Sequence, residues 1–349
     1  MTVSDRLAER ILRDGPIPVS EFMAEAVGAY YAGRDPFGAA GDFTTAPEIS
    51  QMFGEIVGLW CAVVWQSLGM PSRFVLAEMG PGRGTLMADM LRAARTLPPF
   101  LAAAEVWLVE TSPSLRERQR QTLAGHDVRW ADRFEDLPTG PLVLVANELF
   151  DALPIRQFEK RDGAWHERLV GRTPHGFEFT LGPETMPDLP GHVLDAPDGS
   201  VAETCPQGRA LAAAIGRRLA REPGTALVID YGHVRAAAGD TLQAVKRHKF
   251  HPVLQSPGTA DITAHVDFES LALAAIPARA WGPVGQGDFL RALGIETRAA
   301  MLAAAGGPKV EAEVMGQLRR LIDPGEMGTL FKVLALAHPA LPPPPGLAV

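Results

Sequence analysis

The chain has 349 residues, 46% of them hydrophobic, enough for one large domain with insertions or for two domains around a sizeable core. Its formal net charge of −8 and the lack of a basic block argue against nonspecific nucleic-acid binding and favour a neutral or cationic partner. Cys61 and Cys205 lie far apart with no paired spacing, which excludes a disulfide framework or zinc ribbon and suits a reducing cytoplasm; no run is long and apolar enough for membrane insertion. Residues 1–13 form a mixed-charge amphipathic helix carrying Asp5 and Glu9, unlike a signal or an acid-poor transit peptide. Gly15, Pro16 and Pro18 break the chain, and Ser20 is placed to cap a second helix running to Tyr30 or Tyr31. A turn-rich stretch from Asp35 to Pro47 leads into one largely apolar helix over 48–68. The run 41–55 is rich in hydroxyl, amide and acid groups, as a pocket lid would be, so 1–70 reads as a helical segment with a lid.

From Phe74 to Ala77 an apolar run suits a buried parallel strand, and Thr85 to Arg95 carries apolar residues at helical spacing until Pro98. Between them stands Glu78-Met-Gly-Pro-Gly-Arg-Gly84, an acid followed by three alternating glycines at a strand's carboxyl end, where open α/β sheets bind ligands. A dinucleotide fingerprint would need a third glycine at Thr85, and a phosphate loop would need a Gly-Lys-Ser/Thr, so both phosphate readings weaken. The loop resembles the first motif of class I S-adenosylmethionine-dependent methyltransferases; the alternative is a turn whose glycines serve packing only.

The next units follow the same rhythm. Glu105 to Glu110 is a strand ending in an acid able to accept from both ribose hydroxyls of an adenosine, and Ser114 to Glu117 is a capping-box pattern opening the following helix. Asp127 to Asp132 is a weaker third unit, whose closing acid faces the adenine in methyltransferases; as alternatives, Glu110 only favours a helix start and Asp132 is an ordinary loop residue. Leu142 to Ala146 is a buried fourth strand, followed by Asn147-Glu-Leu-Phe-Asp-Ala-Leu-Pro154.

Ile155 to Arg161, the turn Asp162-Gly163 and Trp165 to Val170 signal a hairpin, with Phe177 to Leu181 a further short strand. This β-rich insertion, 155–205, can shape an acceptor site or a contact between two copies of the chain in a homodimer. Pro206 to Arg221 is an Ala-rich helix and Thr225 to Asp230 a fifth strand. The polar stretch 239–265 holds His248, His251 and His265; its His-x-x-His spacing lacks an intervening Glu and a helical face, so a loop closing over the acceptor is preferred to a metal site. Helices at Asp267 to Ile276 and Asp288 to Leu293 flank an extended segment near Trp281, Thr329 to Ala337 is the last strand, and 339–349 is a Pro-rich tail expected to be disordered. The core thus comprises 71–154 and 206–338.

Five motifs in order, 41–48, 78–85, 147–154, Ile229-Asp-Tyr-Gly232 and 261–268, together resemble the MidA family of S-adenosylmethionine-dependent methyltransferases over almost the whole chain. The resemblance implies an α/β class I methyltransferase fold, Rossmann-like, with a mostly parallel sheet and an antiparallel strand near its end. It implies S-adenosylmethionine as cofactor, held by Glu78, Gly80, Pro81, Gly82, Gly84, Glu110, Asp132 and Thr45. Mitochondrial members methylate an arginine of a respiratory complex I subunit, which implies a protein acceptor from the respiratory chain. A carboxylate pair can hold the planar fork of an arginine and take its proton, so Glu148 and Asp151, three apart at a strand end, are the catalytic candidates, with Asn147 orienting the methionine end or the acceptor; as an alternative, the two acids only favour a helix start. A small-molecule methyltransferase and an assembly chaperone with little turnover are the alternatives. The intact glycine loop and Glu110 speak against the chaperone.

Overall fold

The structure is a computed structural model that describes residues 1–33 and 45–347; the first part of the expected lid, 41–44, lies outside the described residues. The chain forms two compact units, one of Met1–Phe43, Phe150–Ala210 and His233–Leu271, the other of Thr44–Leu149, Leu211–Gly232 and Ala272–Val349.

The second unit is built on seven strands of one sheet: β1 (Phe74–Met79), β2 (Ala104–Val109), β3 (Val128–Ala131), β4 (Leu142–Asn147), β5 (Gly224–His233), β6 (Arg279–Gly285) and β7 (Phe331–Ala337). Their spatial order is 3-2-1-4-5-7-6. Strands β1 to β5 pair in parallel, and β7 runs antiparallel to both neighbours, β5 and β6. Every residue of β1 and β4 is buried, as expected where near-continuous apolar runs are covered on both faces. Crossovers between parallel neighbours bring each next strand in with the same polarity, so the loops after β1, β2, β3 and β4 all emerge at one edge.

Helix α1 (Gln51–Ser67) packs on α2 (Thr85–Ala93), the helix that follows the glycine loop. The sequence predicts one helix over 48–68, but Ser50 is extended and accepts from Met52 N (3.3 Å), splitting off a four-residue turn, Ala46–Ile49. Helix α3 (Pro113–Thr122) is capped by Ser112, whose hydroxyl accepts from Leu115 N, and not by the expected Ser114 box. Residues 339–347 of the Pro-rich tail are held in place, contrary to expectation. Leu347 is 1% exposed within the core cluster and Trp60 Nε1 donates to Pro345 O (3.1 Å), so an apolar anchor and one backbone acceptor hold a segment whose composition alone suggests disorder.

The first unit pairs helices Val3–Asp14 and Val19–Gly33 with an antiparallel sheet. Its second helix starts at Val19, so Ser20 lies inside it and not at its cap. The predicted hairpin is present as Arg156–Arg161 and Ala164–Thr173, turning through Asp162 and Gly163, both at positive φ. The stretch expected as an acceptor-closing loop contains a second sheet of three strands, Lys249–His251, Gln243–Lys246 and Asp261–Thr263. Ala244 and Ile262 anchor it among Leu7, Phe22 and Met23.

Close approach of α1 to α2 is set by two small residues four apart: a Cβ on Gly58 would lie 2.7 Å from Met90 Cα, and one on Gly54 would lie 2.5 Å from Asp89 Cβ. Alanine is the better helix former by about 1 kcal/mol. Gly58→Ala is nevertheless expected to destabilise the fold by ~1–3 kcal/mol, because backbone blocks the added methyl. Urea unfolding checks the sign.

Candidate active site

The loop after β1 turns through three glycines at positive φ, Gly80 (63°), Gly82 (51°) and Gly84 (82°). That backbone suits glycine and brings main chain, without Cβ atoms, to the strand edge. Glu78, the last acid of β1, is 3% exposed, and its Oε2 has no hydrogen-bond partner among the described residues. Burial pushes its carboxyl up to about 8, against a smaller opposing pull from the Met87 backbone N–H.

Glu110, just past β2, is held by three donors: Thr111 N and Ser112 N to Oε1, each 2.8 Å, and Gln119 Nε2 to Oε2, 3.3 Å. Burial nonetheless raises its carboxyl above the ordinary value. Gln119 is a residue that sequence reasoning missed. Wholly buried on α3, its amide donates to Gly82 O (2.8 Å) as well as to Glu110, and its carbonyl accepts from Trp130 Nε1 of β3 (2.8 Å). No local signal marks a glutamine in a polar helix as a clamp. Arg116, one turn earlier, donates through Nε to Glu110 O (2.8 Å) and through Nη2 to Ala131 O (3.1 Å) and Asp132 Oδ1 (2.6 Å). Asp132, whose side chain is 73% exposed, is thereby tied to the end of β3 beside Glu110.

At the end of β4, Asn147 is buried; its Nδ2 donates to Glu148 Oε1 (3.1 Å), and its Oδ1 has no partner among the described residues. Glu148 sits at φ 51°, left-handed for a residue with a Cβ, and Ala46 N also donates to its Oε1 (3.1 Å). Such backbone persists only where the surroundings impose it, and it concentrates at functional sites. Here Glu148 N donates to Ile229 O of β5 (2.8 Å). Thr45 heads the Ala46–Ile49 turn with its carbonyl accepting from Glu48 N and Ile49 N, and its side chain makes no cap. Glu48 and Thr85, also missed as site candidates, bond each other (Thr85 Oγ1 to Glu48 Oε1, 2.6 Å), joining that turn to the glycine loop. Asp151 belongs to the other unit, where its carbonyl accepts from Ala264 N (3.0 Å), so the 147–154 and 261–268 motifs meet there.

These residues fit S-adenosylmethionine. A glycine-lined edge, buried acceptors on Glu78 and Asn147 that lack donors, and a carboxylate fixed at the second strand end suit a ligand with an ammonium at one end and a ribose diol at the other. Glu78 and the loop Gly80 to Gly84, with Pro81 in it, would hold the methionine end, and Glu110 the ribose.

The 3-2-1-4-5-7-6 sheet with its antiparallel seventh strand, and this edge, define a class I S-adenosylmethionine-dependent methyltransferase. Residues 56–285 match the model of a family described as "Putative S-adenosyl-L-methionine-dependent methyltransferase". The chain belongs to that family, the MidA family. It is 35% identical to protein arginine methyltransferase NDUFAF7, mitochondrial, of Danio rerio, over 97% of this chain and 87% of that one. It is also 35% identical to the Homo sapiens protein of that name, over 95% and 82%. A Burkholderia thailandensis protein crystallised with S-adenosyl-homocysteine superposes with a TM-score of 0.85 at 31% identity, covering 99% of this chain and 92% of that one.

Three outcomes follow from this geometry. Gly82→Val places a branched residue at φ 51° and is expected to abolish S-adenosyl-homocysteine binding in calorimetry. Glu110→Ala should weaken that binding by roughly 1–3 kcal/mol, the cost of losing hydrogen bonds to a charged group; an unchanged Kd would reassign the acid. An acid whose folded value exceeds its unfolded one costs stability as pH rises between the two, here from 4.5 to about 8. Without ligand, the protein should therefore lose stability across that window, and Glu78→Gln should flatten the loss in melts at about pH 5 and about pH 9.

Proposed function

We propose that the protein methylates an arginine side chain of a protein acceptor, with a respiratory complex I subunit as the leading acceptor. The acceptor class is supported by the name of relatives that match nearly its whole length, protein arginine methyltransferase. The observation that carries the chemistry is the Glu148 carboxylate, fixed by Ala46 N and Asn147 Nδ2 at the end of β4 on a left-handed backbone. A guanidinium is always protonated and presents a planar fork of donors, so its nitrogen becomes a nucleophile only by losing a proton to a base. A carboxylate can both grip that fork and accept the proton. When bound, S-adenosylmethionine supplies an electrophilic methyl on its sulfonium. The role left to the chain is to orient the acceptor, hold the proton on Glu148 and keep the nitrogen in line. Asn147 Oδ1 would accept an N–H from the acceptor or from the methionine end.

Incubation with methyl-labelled cofactor and host lysate, followed by mass spectrometry, tests the acceptor: label on an arginine supports the reading, and label only on a small molecule overturns it. Glu148→Gln keeps the shape and removes the charge. Its affinity for S-adenosyl-homocysteine should stay near wild type while kcat and kcat/KM both fall ~10²- to 10⁴-fold. Retention of most of the rate would remove Glu148 from the chemistry and make Asp151→Asn the next variant.

A further inference from the structure

Helix α3 is strongly charged, and of its residues only Leu115 and Gln119, one turn apart, are buried. The second of those inward positions holds an amide, whose burial costs free energy unless its donors and acceptor are used. Three separate elements use them. An indole N–H can only donate, so Trp130 Nε1 of β3 takes Oε1 (2.8 Å) and turns the amide nitrogen toward Gly82 O (2.8 Å) and Glu110 Oε2 (3.3 Å). Gly82 O is backbone and Trp130 Nε1 sits on a bulky ring of a strand, so these two anchor the amide; the Glu110 side chain is the partner that can turn. Thr111 N and Ser112 N both donate to Oε1 of that carboxylate, which leaves Gln119 to fix the other oxygen. A carboxylate held through one oxygen still swings the second; held through both, it presents one edge.

We propose that Gln119 is a positioning residue for cofactor binding: anchored on Gly82 and Trp130, its amide aims the Glu110 carboxylate at the ribose and so sets the affinity for S-adenosylmethionine without touching it. With no exposed surface, the side chain has none to offer a ligand. A leucine would fill similar space with no polar group to desolvate, so packing alone does not call for an amide at this position. What calls for it is a carboxylate that burial pushes toward its neutral form, a rise that the bonds from Ser112, Gln119 and Thr111 each oppose. The glycine loop also rests on this residue: a Cβ on Gly84 would lie 3.5 Å from Gln119 Cγ. The inference concerns the cofactor end alone and stands whichever acceptor is methylated.

The test is calorimetry on the full-length protein with S-adenosyl-homocysteine and with its analogue lacking both ribose hydroxyls. Gln119→Glu keeps the shape and an oxygen for Trp130 but exchanges the amide donors for a second carboxylate, and Gln119→Leu removes the polar group altogether. Each should weaken S-adenosyl-homocysteine at least ~10-fold and the dideoxy analogue at most ~3-fold, because without hydroxyls the ligand gives Glu110 nothing to accept. Trp130→Phe, which removes the directing indole N–H, should give a smaller loss with the same bias toward the hydroxylated ligand. A role confined to packing would spare Gln119→Glu or weaken both ligands equally, and either result overturns the proposal. Should the Gln119 variants melt before binding is measured, Trp130→Phe decides: no loss, or an equal loss for the two ligands, overturns it.

Discussion

One buried amide holds the cofactor edge together. Gln119 Nε2 is shared between the carbonyl of Gly82 and the carboxylate of Glu110, while its Oε1 takes the indole N–H of Trp130. The glycine loop, the acid after β2 and the third strand are thus fixed to one side chain with no exposed surface. Networks of this kind are costly to leave half made: removing the amide strands two acceptors and a donor in a low-dielectric interior. Arg116 repeats the device one turn away, tying Glu110 O, Ala131 O and Asp132. The floor is therefore organised before a ligand arrives, and binding need not pay for ordering it.

Two glutamates on the same unit show how environment assigns chemistry. Glu55 on α1 is nearly as buried as Glu78, yet Arg298 (Nε to Oε2, 2.7 Å; Nη2 to Oε1, 3.1 Å) and Arg92 grip it. Burial pushes its carboxyl up, and those guanidinium bonds more than reverse the effect, so it stays charged and serves the packing of α1. Glu78 has no such cation among the described residues and is pushed up to about 8. A buried acid without a counter-charge costs stability, and the cost falls at the strand end where a cationic ligand group can repay it. Glu148 shows the same economy in its backbone, a left-handed residue bonded on both sides at the end of β4.

Parts of the structure that rest on local rules were legible in the sequence. The apolar runs of β1, β4 and β5, the glycine punctuation after Glu78, the acid closing β2 and the Asp162-Gly163 hairpin all depend on neighbours within a few residues. Errors fell where two local rules competed. Ser112 and Ser114 both suit a cap, and Pro113 at the first helical position settled it for Ser112. Ser50 broke an apolar run because its hydroxyl bonds Met52 N more readily than a continuing helix would allow.

By itself, then, the sequence determined the order of strand, glycine turn and helix, the acids at strand ends, and with them the cofactor class, because periodicity, turn chemistry and motif spacing are written into adjacent residues. Tertiary structure decided which of those groups are shared, stranded or exposed. It made Gln119 a clamp, left Glu78 without a counter-charge among the described residues while Glu55 gained two, and buried Leu347 in a tail rich in proline. Burial and partners come from residues tens to hundreds of positions away, and no local pattern encodes them.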